Sequence, residues 1–390
     1  MIVQKAFKYR FFPSDEQSAQ LARTFGCARY VYNQALEFRS KSWQQENKSV
    51  GYHETASKLT EWKKETEKAF LSEVSSVVLQ QSLLNLDTAF TNFFEKRAQY
   101  PKFKSRRARQ SARYATNAFT FRSGRITLAK QSEPLDISWS RPLPEDAKIV
   151  NLTVSRDTSG RYFVSILVET DVKPLKKAEA EAGIDVGIKT LATTSDGVKL
   201  ENPRPLLRRE KRLKKLQRRV SRKVKGSNNR KKAGLKVARL HARISDTRRD
   251  TLQKFTTRII RENQAIYVEG LNVAGMVQNH SLAKHIADAA FGEIFRVLEY
   301  KAKWYGRTYL PLDRYFPSSK LCSTCGHLLE ELPLTVREWD CPACGVHHDR
   351  DINAAKNIKK AGQSQLKWLK ATGSDARKVT PTRDERRRSA

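Results

Sequence analysis

Ala182-Gly183-Ile184-Asp185-Val186-Gly187-Ile188-Lys189-Thr190-Leu191-Ala192 is an apolar, partly β-branched run holding a single carboxylate, Asp185. Together with the residues up to Glu201 it reads as two strands joined by a turn at Asp196-Gly197. A carboxylate inside a buried-type strand is costly unless it is paired or metal-bound. Two more acids stand in similar settings. Glu269 ends the strand-like run Ala265-Ile266-Tyr267-Val268-Glu269, and Asp351 opens Asp351-Ile352-Asn353-Ala354-Ala355, which reads as a helix start. Three such acids meeting at a sheet edge would make a hard-oxygen site for Mg²⁺ or Mn²⁺. Two ions of this kind work together in phosphodiester hydrolysis. Each acid also has a structural reading: Asp185 in a turn, Glu269 as a helix cap, Asp351 as an N-cap. Asp349, in His348-Asp349-Arg350-Asp351, is a rival third carboxylate.

Downstream, Cys322-Ser-Thr-Cys325 and Cys341-Pro-Ala-Cys344 are separated by 15 residues, and each pair is followed by glycine, Gly326 or Gly345. Two thiolates three apart on a tight turn bind one metal, and two such turns complete a tetrahedral S₄ set, the preference of structural Zn²⁺. Four thiolates leave no open coordination position. His327, His347 and His348 lie nearby, but a closed Cys₄ set does not need them. Cys27, among apolar residues at helical spacing, reads as a core thiol.

The 390-residue chain carries 75 Lys and Arg against 41 Asp and Glu, a net +34 that points to a polyanionic partner. Half of that excess lies in residues 208–249, which hold 19 Lys and Arg and only two acids, Glu210 and Asp246. Leu213, Leu216, Val220, Leu235, Ala238 and Leu240 interrupt the block at helical intervals, which suggests two helices about a Gly226–Asn229 turn. Residues 102–113 form a second basic stretch. Basic residues spread along the chain favour nucleic acid over a membrane surface, which takes a compact polybasic anchor. No apolar run approaches the roughly 18 residues of a spanning helix, and no signal peptide is evident. The expected compartment is a reducing cytoplasm.

At the amino end, Phe7, Tyr9 and Phe11 alternate as in a strand that Pro13 and Ser14 stop. Helical spacing follows over about 14–46, 54–69 and 72–97, and short strand-like runs fill 114–170. The first strand is expected to pair into that β-rich region, with the helices inserted between. Residues 171–181 read as a charged linker.

Five segments occur in one order: KAFKYRFFPSDEQ…GCARYVYNQAL, GIDVGIKTLA, YVEGLN, PSSKLCSTCG with W-DCPACG, and HDRDINAAKNI. Together they resemble the TnpB family, RNA-guided DNA nucleases of bacterial insertion sequences related to the type V CRISPR effectors. The likeness covers about residues 1–360. It implies an α+β multidomain chain. Residues 1–12 with 112–180 would form a wedge β-barrel, with a helical recognition lobe over 13–111 inserted in it. Residues 181–318 with 346–362 would be an RNase H-like (RuvC) α/β nuclease domain. A zinc-ribbon target-nucleic-acid-binding insertion would take 319–345, and a flexible basic tail 363–390.

By the same resemblance, Asp185, Glu269 and Asp351 are the catalytic acids and hold Mg²⁺ or Mn²⁺, with Asp351 rather than Asp349 as the third. Cys322, Cys325, Cys341 and Cys344 hold Zn²⁺. Tyr52, Ser76 and Gln80 in the lobe, and Thr116 and Asn117 in the wedge, are candidate contacts to a short DNA motif beside the target; Gln is a natural reader of adenine. The implied partners are one guide RNA per monomer and double-stranded target DNA, in the cytoplasm of a bacterium or archaeon, associated with the nucleoid. The other reading is a transposition accessory or a guided DNA-binding repressor without productive cleavage.

Overall fold

In the computed structural model, residues 2–373 are described. They divide into two compact units, Ile2–Asp171 and a second beginning at Val172.

The first unit starts with β1 (Ile2–Phe11), in which Val3, Phe7, Tyr9 and Phe11 are buried on one face. Ser14 stops it and begins a helix: its hydroxyl accepts the Gln17 N–H while the Gln17 side chain accepts the Ser14 N–H, a reciprocal cap. Helices α1 (Asp15–Glu46), α2 (Tyr52–Lys64) and α3 (Ser76–Phe94) follow, with a 3₁₀ segment over Thr66–Glu73. The expected second helix therefore stops short of 69, its last part being 3₁₀. These elements close on their own core, which includes Val31, Leu36, Leu59, Trp62, Leu79 and Leu83.

The chain then returns to strands: β2 (Gln110–Ala115), β3 (Phe119–Arg122), β4 (Arg125–Leu128), β5 (Ile137–Ser138), β6 (Lys148–Arg156) and β7 (Tyr162–Asp171). The main sheet has the order β2-β6-β7-β1-β5, antiparallel throughout, and β3 and β4 form a separate hairpin. The first strand thus pairs with the last strand of the unit, and the three helices lie between β1 and β2 in the chain.

The second unit opens with β8 (Glu181–Asp185), β9 (Thr190–Thr194) and β10 (Lys199–Glu201). These are three strands where the sequence suggests two; the turn at Asp196-Gly197 joins only β9 to β10, and a further turn follows Asp185. Next come α4 (Pro205–Ser221), α5 (Asn228–Glu262), β11 (Ala265–Val268), α6 (Val273–Met276), α7 (Ala283–Ala289), α8 (Phe291–Tyr305) and β12 (Thr308–Pro311). The short pair β13 (Glu338–Asp340) and β14 (His347–Asp349) leads into α9 (Arg350–Ala371).

The sheet order is β10-β9-β8-β11-β12, with β8, β11 and β12 parallel and β9 and β10 antiparallel to their neighbours. Strand β11 is buried at every residue because both faces are covered. Ile266 and Val268 face a core with Phe255, Ile259, Ile294 and Leu298 from α5 and α8. Ala265 and Tyr267 face Ile358 and Leu369 of α9. That packing corrects one boundary. Residues 363–371, expected within a flexible tail, are the last turns of α9, held by buried Leu369. The rest of that tail, 374–390, lies outside the described residues.

Candidate functional site

Parallel register sets the acids side by side. Ile184 pairs with Val268, so Asp185 and Glu269 leave adjacent strands at the same carboxyl edge. The Val186 N–H donates to Glu269 Oε1 at 3.1 Å, tying the two strand ends together. The third acid comes from α9. Asp349 caps that helix, accepting the Asp351 and Ile352 N–H groups at 3.1 and 3.0 Å, and pairs with Lys199 Nζ at 2.5 Å. Despite burial, these bonds hold its carboxyl below the usual range. Asp349 is thus committed to the helix end, and Asp351, two residues on, is the acid whose charge acts on Asp185.

Glycine brings α9 this close to the sheet. A Cβ on Gly183 would lie 2.1 Å from the Ala355 carbonyl oxygen and 2.6 Å from the Lys359 nitrogen; one on Gly362 would lie 2.2 Å from the Tyr267 ring. Burial pushes the Asp185 carboxyl well above its ordinary value. The charge of Glu269, a hydrogen bond shared with it, and the charge of Asp351 push the same way, against Arg350. Arg337 stands 3.6 Å from Asp351. Carboxylate oxygens are the donors that hard divalent cations prefer.

The cysteines make a tighter cluster. Their four sulfurs lie within 4.8 Å of one another, the one such group among the described residues. Cys325 and Cys341 are 3.6 Å apart, Cys322 and Cys344 3.8 Å. Tetrahedral zinc with Zn–S bonds of about 2.3 Å requires sulfur separations of about 3.8 Å, so the set fits that ion. Each pair makes the same turn. Cys322 N–H donates to the His327 carbonyl and Gly326 N–H to that of Cys322; Cys341 to Val346 and Gly345 to Cys341 repeat it. Gly326 and Gly345 take φ of 80° and 70°, where a side chain would be strained. Burial alone would raise the Cys322 thiol, but the N–H groups of Cys325 and Thr324 and the His348 ring bring it down to about 5.

Two buried asparagines bind this cluster to α9. Asn353 Oδ1 accepts the Ser323 N–H at 2.8 Å while its Nδ2 donates to the Leu321 carbonyl at 2.8 Å. One turn later, Asn357 donates to the Ser318 carbonyl at 2.9 Å. The first cysteine turn is therefore fastened to the helix that carries Asp351. Sequence reasoning gave neither asparagine a role, although Asn353 sits inside a motif it used.

It also passed over Asp288, which is 2% exposed. Asp288 accepts the Leu206 and Leu207 N–H groups at the start of α4 and pairs with Arg248 of α5 at 2.9 Å. It thereby pins the start of α4 and the middle of α5 to the core, and the two helices bury Leu213, Leu240 and Ile244 against each other. Nothing in His-Ile-Ala-Asp-Ala-Ala, 285–290, signals that role.

The five candidate DNA contacts all lie in the first unit. Ser76 and Gln80 are exposed on one face of α3, and Lys63 Nζ donates to Ser76 Oγ at 2.7 Å. Thr116 and Asn117 are exposed on a 3₁₀ turn that packs against α3, where Val78 and Ala118 share a core. Tyr52 is half-buried at the start of α2, its ring 5.6 Å from that of His53.

Comparison with known proteins identifies the family. Residues 164–280 match a family model described as "Probable transposase", 291–358 one described as "Cas12f1-like, TNB domain", and 1–48 a "Helix-turn-helix domain". In the last range the described elements are one strand and one long helix. A protein of Streptomyces pristinaespiralis named "Putative RNA-guided DNA endonuclease" is 57% identical over 92% of this chain and 90% of its own length. One from Escherichia coli K12, "Putative RNA-guided DNA endonuclease InsQ", is 34% identical over 93% of each. Among solved structures, that of a Cas12f1–sgRNA–target DNA complex matches with a TM-score of 0.57 at 14% identity, covering 92% of this chain and 99% of that one, a likeness of fold. With its acids at one sheet edge, its four-sulfur cluster and relatives matched over nearly their whole length, the chain belongs to the TnpB family.

Proposed function

We propose that this chain is an RNA-guided DNA endonuclease that hydrolyses phosphodiester bonds at Asp185, Glu269 and Asp351. The observation that carries this reading is geometric: three acids from distant parts of the chain crowd one edge of a mixed sheet. Such crowding costs stability and recurs where chemistry needs it. The names of the relatives support the same activity. The second unit is then the RNase H-like nuclease domain with its zinc-ribbon insertion. The strands and helices of the first unit are the wedge and recognition lobe.

Asp185, Glu269 and Asp351 would hold Mg²⁺ or Mn²⁺, which when bound lowers the pKa of the attacking water and stabilises the leaving 3′ oxygen. The chain's own groups do the rest. The Val186 N–H fixes the Glu269 carboxylate, and the Asp349 cap sets the start of α9 and with it Asp351. Arg337 lies 3.6 Å from Asp351. The basic faces of α4 and α5 and the stretch 102–113 hold guide-RNA phosphates, while guide–target pairing reads sequence. Ser76, Gln80, Thr116 and Asn117, with Tyr52, read the short motif beside the target. The products are 5′-phosphate and 3′-hydroxyl ends.

The test is Asp185→Ala in the protein purified with its guide RNA. Cleavage of matched double-stranded DNA in Mg²⁺ is expected to disappear while guided DNA binding persists. Cleavage at the unsubstituted rate would overturn the assignment.

A further inference from the structure

Beside the acids, the loop after β12 presents two side chains that the fold does not use. Strands β11 and β12 are parallel, with Val268 opposite Pro311, and the Leu312 N–H donates to the Val268 carbonyl at 2.8 Å. The chain then turns directly in front of Gly270, the neighbour of Glu269. A Cβ on Gly270 would lie 2.2 Å from the Leu312 carbonyl oxygen and 3.2 Å from the Arg314 nitrogen, so this approach depends on glycine. Arg314 and Tyr315 therefore leave the backbone at the same carboxyl edge of the parallel strands as Asp185 and Glu269.

Tyr315 is 83% exposed, the most exposed large apolar side chain among the described residues. Asp313 Oδ1 accepts the Tyr315 N–H at 2.8 Å and fixes the turn that displays the ring. Neither the Tyr315 phenol nor the Arg314 guanidinium has a side-chain partner among the described residues. A bare ring contributes nothing to the core. Beside an unpaired guanidinium it is the combination that grips a single strand, with a base stacked on the ring and a phosphate on the cation.

We propose that Tyr315 and Arg314 form a strand-positioning subsite for single-stranded DNA at the rim of the acid trio. Tyr315 stacks on an unpaired base next to the phosphate being cut, and Arg314 holds a neighbouring phosphate. The inference rests on the nuclease reading above and adds the residues that place the opened strand over the acids.

The experiment uses the full chain with its guide RNA and a matched DNA target whose strands are left unpaired across the cut region. Base–aromatic stacking contributes about 1–3 kcal/mol, so Tyr315→Ala is expected to lower kcat/KM by about 5- to 150-fold, chiefly through KM, and to scatter the cut positions. Tyr315→Phe retains the ring and should restore both. Arg314→Ala should show a loss that lessens at low salt. Because the ring is exposed, the thermal midpoint should not move. Unchanged KM and cut positions in Tyr315→Ala would overturn the subsite and leave the nuclease reading intact. Should the unsubstituted protein cleave nothing, the nuclease reading fails, and the subsite is judged separately by photocrosslinking. An iodouridine-containing DNA oligonucleotide that crosslinks at Tyr315 of the Asp185→Ala protein supports it; absence of that crosslink overturns it.

Discussion

Asp185 shows how much a single buried carboxylate can cost a fold. Burial raises its carboxyl pKa, and Glu269 and Asp351 raise it further. A folded-state pKa above the unfolded value means that the group's contribution to stability is complete below the unfolded value. It is lost as pH climbs through the folded one. The protein without divalent cations should thus weaken toward neutral pH. Asp185→Asn preserves the shape and removes the ionisation. It is expected to have the higher thermal midpoint at pH 7–8 without added Mg²⁺, with the gap closing toward pH 4 and on addition of Mg²⁺. Thermal denaturation across that range checks this, and coincident curves at every pH would mean that the acids are not electrostatically crowded. Acids of this kind are legible in sequence because they interrupt apolar strands. The residues taken alone leave Asp349 and Asp351 as rivals, and only the family resemblance favours Asp351. The cap that Asp349 forms and its contact with Lys199, 150 residues away in the chain, carry no signal in the sequence.

At the scale of elements, α9 joins the acid site to the cysteine cluster. Asn353 is 1% exposed and satisfies an N–H and a carbonyl of the segment beside the first cysteine turn. Asn353→Ala leaves the Ser323 N–H buried without its acceptor, while the Leu321 carbonyl keeps the Asn357 amide, and should cost about 1–3 kcal/mol. Cleavage is expected to fall with stability while zinc content stays at one equivalent, read by denaturant unfolding alongside metal analysis. Loss of the zinc as well would show that the asparagine clamp is needed to hold the metal. The helices and strands were legible wherever apolar residues kept one period: β1, α1, α3, α5 and β11 stand close to where the pattern sets them. Limits fell elsewhere for identifiable reasons. The run after 362 looks like a tail because Gly, Ser, Pro and charge fill most of it, yet Leu366 and Leu369, one helical turn apart, reach the core that Tyr267 and Leu310 supply. The turn after Asp185 hides inside an apolar run because Val186 and Ile188 continue it, with Gly187 and Lys189 as its only interruptions. Asp288 could not be read at all, since its partners, the α4 start and Arg248, are 82 and 40 residues distant.

Over the whole molecule the charge governs what the chain binds, and composition made that plain before any element was assigned. A net +34 with half of it in residues 208–249 cannot be neutralised from within, because the acids near α4 and α5 are already engaged. Glu210 pairs with both Lys214 and Lys284, and Asp288 with Arg248. Arg212, Lys215 and Arg219 of α4 are exposed and have no side-chain partner among the described residues. Cations left in this state repel one another until a polyanion lies across them, releasing its own counterions as it does. Each phosphate contact adds about 0.7–0.9 to the slope of log affinity against log salt. Replacing these three residues together with Gln should therefore flatten the slope for guide RNA by about 2–3. The loss should be similar for RNAs of unrelated sequence, because phosphate contacts carry no sequence information. Filter binding from low to moderate salt measures both. An unchanged slope would place the RNA on some other surface, and a loss confined to one RNA would mean that α4 reads bases rather than backbone.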